Sequence, residues 1–332
     1  MTALTPPRLC RAAIVDPVSR GLMIGEIPIP RPGKGDVLIK VAAAGVNRVD
    51  IDQKNGDYQA PTGASKILGL EVSGTISEIG GHVSDYKIGD RVMALMTGGG
   101  YADYALASAD LCLPIPPHLG FEEAAAVPEA YFTVWSNLFM DAGLKSGEVL
   151  LLHGGASGVG SAAIQIAKSF GVVVIATAGS NDKAEFLRKL GVDCAINDRE
   201  RDFEEEAALF LKGRGVDVVF DWVGHQYLQK HLSLLGRKGR LVLIDSRTQG
   251  SLPIDLNLIM RKNLVMTGSL LRPRPFEEKR AVALAIRRHL IPKIIADGIK
   301  PVISRRFPLA AAEEAHALVE SRAHKGKVVL TV

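Results

Sequence analysis

The sequence predicts an α/β protein in which a doubly wound parallel sheet is joined to a second domain of irregular β structure. Three observations predict this fold class. The first 126 residues consist of short strand-like runs broken by glycine and proline. From about residue 127, short apolar runs alternate with stretches of helical length. At residues 153–160 a glycine-rich loop, HGGASGVG, follows one such run and opens a helical pattern.

The first domain is predicted over residues 1–126. Turn signals such as Pro32-Gly33 and Gly80-Gly81 divide it into short segments. Their apolar residues favour strands rather than helices. The predicted strands are DVLIKVAAAGV, VSGTISEIG, GDRVMAL and YADYALAS.

The second domain is predicted over residues 127–270, because runs separated by helices are typical of parallel strands covered on both faces. A C-terminal segment, residues 271–332, is expected to return to the first domain. It contains helical stretches around 277–289 and 310–321 and a last strand, GKVVLTV. The predicted strands of the second domain are EVLLLHG, VVVIATAG, CAIN, VDVVFDWVG, GRLVLID and LVMTGSL.

Composition excludes several classes of function. The 332 residues are 47% hydrophobic and carry a formal charge of +4 that is spread along the chain, so no nucleic-acid partner is expected. No apolar run approaches the roughly 18 residues of a membrane span, and the N-terminus lacks the apolar core of a signal peptide. The 3 cysteines are far apart in sequence and form no disulfide framework. We therefore expect a cytoplasmic protein without membrane contact.

The glycine-rich loop has the features of a dinucleotide-binding turn. Gly155 is expected to allow the tight turn and Gly160 to let helix and strand approach closely, while the helix start at Gly158 and Val159 offers N–H groups to a pyrophosphate. Ser157 stands where the second glycine of G-x-G-x-x-G is expected. A simple strand-to-helix turn is the alternative.

The residues after the next strand indicate which cofactor is bound. An NAD site usually has an Asp or Glu there for the ribose 2'-hydroxyl. Here Gly179 leaves space, Ser180 offers a hydrogen bond and Lys183 a positive charge, which suits a 2'-phosphate. We expect Asp182 to cap the helix that begins with Lys183. The sequence therefore predicts NADP, used as NADPH.

Together, several segments resemble the medium-chain dehydrogenase/reductase superfamily, and within it the zinc-free quinone oxidoreductases. The similarity extends to the tumour-suppressor-inducible subgroup, relatives of zeta-crystallin. It implies a GroES-like substrate domain, a six-stranded Rossmann domain, and a nicotinamide in the cleft between them. The segments are AAAGVNRVD, GDYQAPTGASKILGLEVSG, AAAVPEAYFTVW, HGGASGVGSAAIQIAK, TAGSNDK and HKGKVVL.

The resemblance also shows what is missing. Zinc-dependent members supply a Cys, a His-Glu pair after glycine, and a third ligand. This chain has Asn47, then Gly69-Leu70-Glu71, then Glu129 at those positions. A zinc site loses its preferred donors, so no metal is expected, although these oxygens could still bind a harder ion.

Without a metal to lower the pKa of an alcohol, reduction of a quinone or polarised enone is the favoured chemistry. The resemblance implies that Asn47 and Tyr58 flank the substrate, where either could bond the carbonyl oxygen. Asp50 completes an N-x-x-D signature and is expected to orient Asn47. Asn47 as a turn residue and Tyr58 as a surface aromatic are the alternatives.

Further cofactor contacts and a partner are implied by the same resemblance. Asp198 stands near the adenosine phosphate where relatives often have Tyr or His, and its carboxylate would repel a 2'-phosphate unless turned away. The segment LVMTGSL is expected to be an edge strand that forms a homodimer. The other implied contacts are Thr133, Ser246, Arg247, Gly268, Ser269, Leu270 and Lys327.

Two other functions fit the same sequence. A trans-2-enoyl thioester reductase would share the fold and the cofactor, and turnover of enoyl thioesters would identify it. A non-catalytic NADPH-binding protein, acting as a redox sensor or RNA-binding partner, would bind the cofactor without reducing any quinone.

Overall fold

The computed structural model describes residues 8–245 and 254–332. Its parallel α/β sheet and separate β sheet confirm the predicted fold class. The chain forms two compact units. Residues up to Ala130 together with Pro275–Val332 form the first unit, and Tyr131–Arg274 form the second.

The N-terminal part of the chain supplies most of the first unit. Strands β1 and β2 pair with each other as an antiparallel sheet, and Ala12 of β1 also forms an isolated antiparallel bridge with Ala102. The helix α1 begins directly after the long strand β3, so the end of β3 and the start of α1 form one corner. The elements are β1 (Leu9–Val15), β2 (Leu22–Pro28), β3 (Asp36–Val46), α1 (Arg48–Asn55), β4 (Glu71–Ile79), β5 (Arg91–Leu95), β6 (Tyr104–Ser108), β7 (Cys112–Pro114) and α2 (Phe121–Ala125).

A helix that continues as a π-helical segment leads into the second unit. After it, strands and helices alternate, as the apolar runs predict. The elements are α3 (Pro128–Val134), the π-helical segment (Trp135–Asp141), β8 (Val149–Leu152), α4 (Gly158–Ser169), β9 (Val173–Ala178), α5 (Asn181–Lys189), β10 (Cys194–Asn197), α6 (Phe203–Leu211), β11 (Val216–Asp221), α7 (Leu228–Leu234), β12 (Leu235–Leu243), α8 (Leu256–Lys262) and β13 (Val265–Gly268).

The second unit has the strand order of a dinucleotide-binding fold. Within the described ranges its sheet contains six parallel strands in the order β10-β9-β8-β11-β12-β13. The order reverses between β8 and β11, and ligands bind at the carboxyl ends of strands beside such a reversal. The glycine-rich loop follows β8 at that point.

The C-terminal segment adds two strands to the main sheet of the first unit. The strand order of this sheet is β14-β15-β3-β4-β5-β7, and β6 also pairs with β3. Strand β15 runs antiparallel to β3, with Val328 opposite Val46. Lys327, the first residue of β15, therefore lies beside the end of β3. The elements are α9 (Phe276–Ala285), a π-helical turn (Ile286–Leu290), α10 (Ile291–Asp297), β14 (Ile303–Pro308), α11 (Ala312–Glu320) and β15 (Lys327–Thr331).

Each unit has its own buried core, because the apolar side chains of each sheet must be covered. In the second unit, Leu151 and Val219 from the central strands are fully buried with Phe203 from α6. In the first unit, Ile39 from β3 packs in the same cluster as Val328 from β15. Because β15 closes this core, this strand contributes to the stability of the first unit.

We predict that Gly160→Ala destabilises the second unit by about 1–3 kcal/mol, since a new methyl group in a packed site forces the backbone to move. An ideal Cβ on Gly160 would lie 2.7 Å from the Gly154 carbonyl oxygen and 2.7 Å from Gly155 Cα. Urea unfolding measures the change. Gly81→Ala is the control, because its Cβ would have only Lys34 Cγ nearby, at 3.9 Å. Equal stability of Gly160→Ala and the unmutated chain would contradict the close approach.

Candidate active site

The glycine-rich loop forms a capped helix start. The N–H of Gly155 donates to the Thr177 carbonyl at 2.9 Å, which fixes the loop to β9. Ser157 is the N-cap of α4, and its hydroxyl accepts the Gly160 N–H at 3.0 Å. Gly158 and Val159 are the first residues of the helix, so their N–H groups have no intrahelical acceptor. These groups and the helix dipole suit a pyrophosphate.

Two neighbouring glycines of this loop are constrained in different ways. Gly154 has a φ of +55°, in the left-handed region that glycine favours. The tight turn expected of Gly155 is therefore made by Gly154. Gly155 is instead confined by packing, because its Cβ would lie 3.0 Å from a Leu187 methyl group and 3.2 Å from Ala176 Cβ.

The residues predicted for the adenosine end lie together after β9 and β10. Ser180 is the N-cap of α5, and its hydroxyl accepts the Lys183 N–H at 3.3 Å. The cap predicted at Asp182 is therefore wrong, since the helix begins two residues earlier than expected, at Asn181. The Asp198 N–H donates to the Ala178 carbonyl at 3.1 Å, which brings the end of β10 beside Gly179.

A buried amide joins two more of the predicted cofactor residues. Asn137, in the π-helical segment, donates to the Thr133 carbonyl at 2.8 Å and accepts from the Ser269 hydroxyl at 2.7 Å. Sequence reasoning missed Asn137, because nothing in the local pattern marks a π-helical turn. Gly268 ends β13, and the side chain of Leu270 is 56% exposed. Ser246 and Arg247 lie outside the described residues.

The side chain of Lys327, which is predicted to contact the cofactor, is buried in a polar cluster of the first unit. Its ammonium group donates to Glu71 Oε1 and to Asn47 Oδ1, both at 2.5 Å, and to the Val46 carbonyl at 3.3 Å. Lys327 is 5% exposed and Glu71 is 0% exposed. We call Glu71, Lys327 and Asn47 the buried ion cluster.

The remaining donors of the buried ion cluster complete it. The Asn47 amide nitrogen donates to Glu71 Oε1 at 2.9 Å, and the Glu129 N–H donates to Glu71 Oε2 at 2.9 Å. Gly45 makes room for the carboxylate, because a Cβ there would lie 2.2 Å from Glu71 Oε1. Both charges are therefore paired and hydrogen-bonded, as burial requires.

Asp50 sets the position of Asn47. Its carboxylate accepts the Asn47 N–H at 2.9 Å, the Gly69 N–H at 3.1 Å and the Tyr101 hydroxyl at 3.1 Å. Burial raises the pKa of Asp50 to about 6, against the opposing effect of these hydrogen bonds. Asp50 thus contacts the start of α1 and the turn before β4 at once.

Tyr58 lies just beyond the C-terminus of α1. Its N–H donates to the Asp52 carbonyl at 3.1 Å, after Gly56 has ended the helix in the left-handed conformation. The side chain is half-buried. The structure therefore places Tyr58 at one end of α1 and Asn47 at the other.

Zinc does not fit the residues at the three ligand positions. Zinc prefers thiolate, imidazole and carboxylate donors. Leu70 is buried in place of a histidine, and the Asn47 and Glu71 oxygens already accept from the Lys327 ammonium group. A divalent ion at these oxygens would also face that positive charge.

A second group of metal-ligand types lies in the second unit and has another explanation. His153 Nε2 and His231 Nε2 are 2.8 Å apart, and both rings are fully buried near Asp221. Two imidazole ligands of a tetrahedral zinc would be about 3.3 Å apart, given Zn–N bonds near 2.0–2.1 Å. Burial lowers the pKa of both histidines, so the pair shares one hydrogen bond as neutral rings.

Known proteins are similar to this chain in fold and in sequence. A zinc-binding dehydrogenase family model matches residues 158–287, and an alcohol dehydrogenase GroES-like domain model matches residues 33–117. A quinone oxidoreductase of Sus scrofa is 34% identical over 307 residues, covering 92% of both chains.

Two solved structures are also similar. One is a mycobacterial protein complexed with NADPH, with a TM-score of 0.82 and 30% identity over 97% of this chain and 100% of the other. The second is the apo form of the JamJ enoyl reductase, with a TM-score of 0.82 and 27% identity over 97% and 99% of the two chains.

The fold and the glycine-rich loop define an oxidoreductase of the medium-chain dehydrogenase/reductase superfamily. Within that superfamily, the chain belongs to the quinone oxidoreductase family, as the level and extent of identity to the Sus scrofa relative show.

We predict that Lys327→Met destabilises the first unit by about 3–5 kcal/mol, because it leaves the Glu71 carboxylate buried without its cation. Adding Glu71→Gln should recover most of that loss, since the remaining groups are neutral. Chemical unfolding of both single variants and the double variant measures the coupling. Additive losses would show that the ion pair is not the stabilising contact.

We also predict that activity survives prolonged treatment with a metal chelator. The reason is that Leu70 offers no ligand atom and the Asn47 oxygen accepts from the Lys327 ammonium group. Elemental analysis should find much less than one zinc per chain. A stoichiometric metal whose removal abolishes turnover would overturn this prediction.

Proposed function

We propose that the protein is a metal-independent, NADPH-dependent reductase of quinones or related α,β-unsaturated carbonyls. The buried ion cluster carries this proposal, because Leu70 replaces the histidine ligand and the Asn47 oxygen, at another ligand position, accepts from the Lys327 ammonium group together with Glu71. Oxidation of an alcohol requires a group that lowers the hydroxyl pKa. Reduction of a quinone requires a well-placed hydride and a hydrogen-bond donor for its oxygen.

The cofactor is NADPH. The pyrophosphate fits the N–H groups of Gly158 and Val159 at the start of α4. Thr133 and Ser269, joined through Asn137, would contact the cofactor farther along the same sheet edge. The similar mycobacterial protein is complexed with NADPH, which supports this assignment.

When bound, NADPH supplies a hydride. The task left to the protein is to bond the acceptor oxygen as negative charge develops on it. The Tyr58 hydroxyl is the group we assign to this role. The second amide hydrogen of Asn47 is the other donor we assign, because the Asn47 oxygen already accepts from Lys327 and the first amide hydrogen is donated to Glu71.

Asp50 and the buried ion cluster then act as positioning groups. Asp50 fixes the N–H of Asn47, and Lys327 and Glu71 fix its side chain. Asn47 therefore has a single orientation, with one amide hydrogen left for the acceptor. A rigid amide needs no reorganisation when the charge develops.

Reduction of an enoyl thioester is the second candidate, favoured by the similarity to the JamJ enoyl reductase. Both reactions use the hydride of NADPH, and both need a hydrogen-bond donor at a carbonyl oxygen. They differ in the acceptor, since an enoyl thioester brings a long apolar chain. Comparing turnover of enoyl thioesters and quinones separates the two candidates.

Partners and location follow from the same assignment. The partner is a small-molecule quinone or enone, without nucleic acid, and a second copy of the chain would bind at β13. Among the described residues, β13 lies at the end of its sheet, and Val265 on it is exposed. Free cysteines at positions 10, 112 and 194 are in keeping with a reducing, cytoplasmic location. None of the helices described is long and apolar enough to span a bilayer.

We predict that Tyr58→Phe lowers kcat/KM for quinones several-fold to about a hundredfold and leaves NADPH affinity nearly unchanged. A good quinone accepts electrons readily, and one hydrogen bond to its oxygen is worth about 1 kcal/mol or somewhat more. Steady-state rates across a quinone panel, with NADPH binding measured separately, test this. Tyr104→Phe, a half-buried tyrosine on β6, is the matched control.

Three outcomes would count against the proposal. Unchanged rates in Tyr58→Phe would mean that this tyrosine is structural. Enoyl thioesters turned over far better than any quinone would favour the second candidate. NADPH binding without turnover of any quinone or enone would show a non-catalytic protein.

A further inference from the structure

A second cation lies at the adenosine end of the cofactor site besides Lys183. Arg199 follows β10 by two residues, and its guanidinium group lies against the bare backbone of Gly179. An ideal Cβ on Gly179 would be 3.3 Å from Arg199 Nε and 3.7 Å from Cζ. The absence of a side chain at Gly179 is what allows this approach.

Hydrogen bonds fix the backbone around Arg199. Its N–H donates to Asn197 Oδ1 at 3.2 Å, and the Asn197 amide donates to Asn181 Oδ1 at 3.0 Å. Asn181 in turn donates to both Glu200 oxygens, at 2.9 and 3.0 Å. The loop after β10 is therefore tied to the first turn of α5, and the Glu200 carboxylate is occupied by a neutral amide.

The other neighbouring carboxylate, Asp198, lies near Tyr227. Burial, and after it this negative charge, raises the pKa of Tyr227. The tyrosine ring lies between aromatic neighbours, with centroids 4.7 Å from Phe203 and 4.9 Å from His153.

The guanidinium group itself is exposed and makes no ion pair with any residue in the described ranges. Arg201, two residues away, does form an ion pair, because its guanidinium group lies 3.3 Å from the Glu206 carboxylate. A planar guanidinium with unused donors, lying against Gly179 directly before the Ser180 cap, matches a dianionic phosphate.

We propose that Arg199 binds the 2'-phosphate of NADPH. This inference rests on the proposed use of NADPH. It makes Arg199 and Lys183 the two cations that distinguish NADPH from NADH.

The test is calorimetric binding of two nucleotides without turnover: adenosine 2',5'-bisphosphate, and adenosine 5'-monophosphate, which lacks the 2'-phosphate. Arg199→Ala should weaken binding of the bisphosphate by about tenfold to a hundredfold, since a charge-assisted contact is worth about 1.5–3 kcal/mol. Binding of the monophosphate should be nearly unchanged. Arg199→Lys should recover part of the loss, because it restores the charge but not the planar group.

Arg201→Ala is the matched control, because it removes an equal charge from the same loop and should leave both affinities unchanged.

The outcomes separate this inference from the proposed function. If the unmutated chain prefers the bisphosphate and Lys183→Ala removes the preference, but Arg199→Ala does not, the role of Arg199 is wrong and NADPH stands. An unmutated chain that binds both nucleotides equally would overturn both. An equal loss in Arg199→Ala and Arg201→Ala would show only long-range charge and would also overturn the role of Arg199.

Discussion

The first unit depends on the buried pairing of Glu71 with Lys327. Glu71 begins β4 and Lys327 begins β15, so the ion pair joins strands on the two sides of β3. Neither charge is stable in that core without the other. The pairing also fixes Asn47 at the end of β3. This one contact therefore links β4 to β15 across β3 and holds the corner before α1.

The second unit is organised by a geometric constraint rather than by a charge. Parallel strands place all their carboxyl ends at one edge, so loops far apart in sequence become neighbours. Thr177 on β9 fixes Gly155, the Ala178 carbonyl fixes Asp198, and the Leu243 carbonyl accepts the Ser269 N–H at 3.0 Å. The polar groups of the edge are held by backbone bonds, which leaves their side chains for other partners.

Sequence reasoning was most successful where a pattern is local. The run DVLIKVAAAGV coincides with β3 and CAIN with β10, because apolar blocks between turn signals leave little choice of bounds. The hairpin of β1 and β2 was missed, because its second strand is mostly half-buried or exposed and so lacks a strong apolar run.

Contacts between residues that are far apart in the sequence could not be predicted from the sequence. Lys327 and Glu71 are 256 residues apart, and no local feature pairs them. The choice between Gly154 and Gly155 for the turn depends on what each would touch, not on composition.

The antiparallel pairing of β15 with β3 has a consequence for biosynthesis. Residues 131–274 are complete, with their own core, before the ribosome has made the strand that β3 needs. During that interval β3 has an open edge beside an unfinished core, the kind of surface on which nascent chains associate wrongly. The first unit therefore completes its sheet after the second unit has been made, and the edge of β3 stays open until β15 has been synthesised.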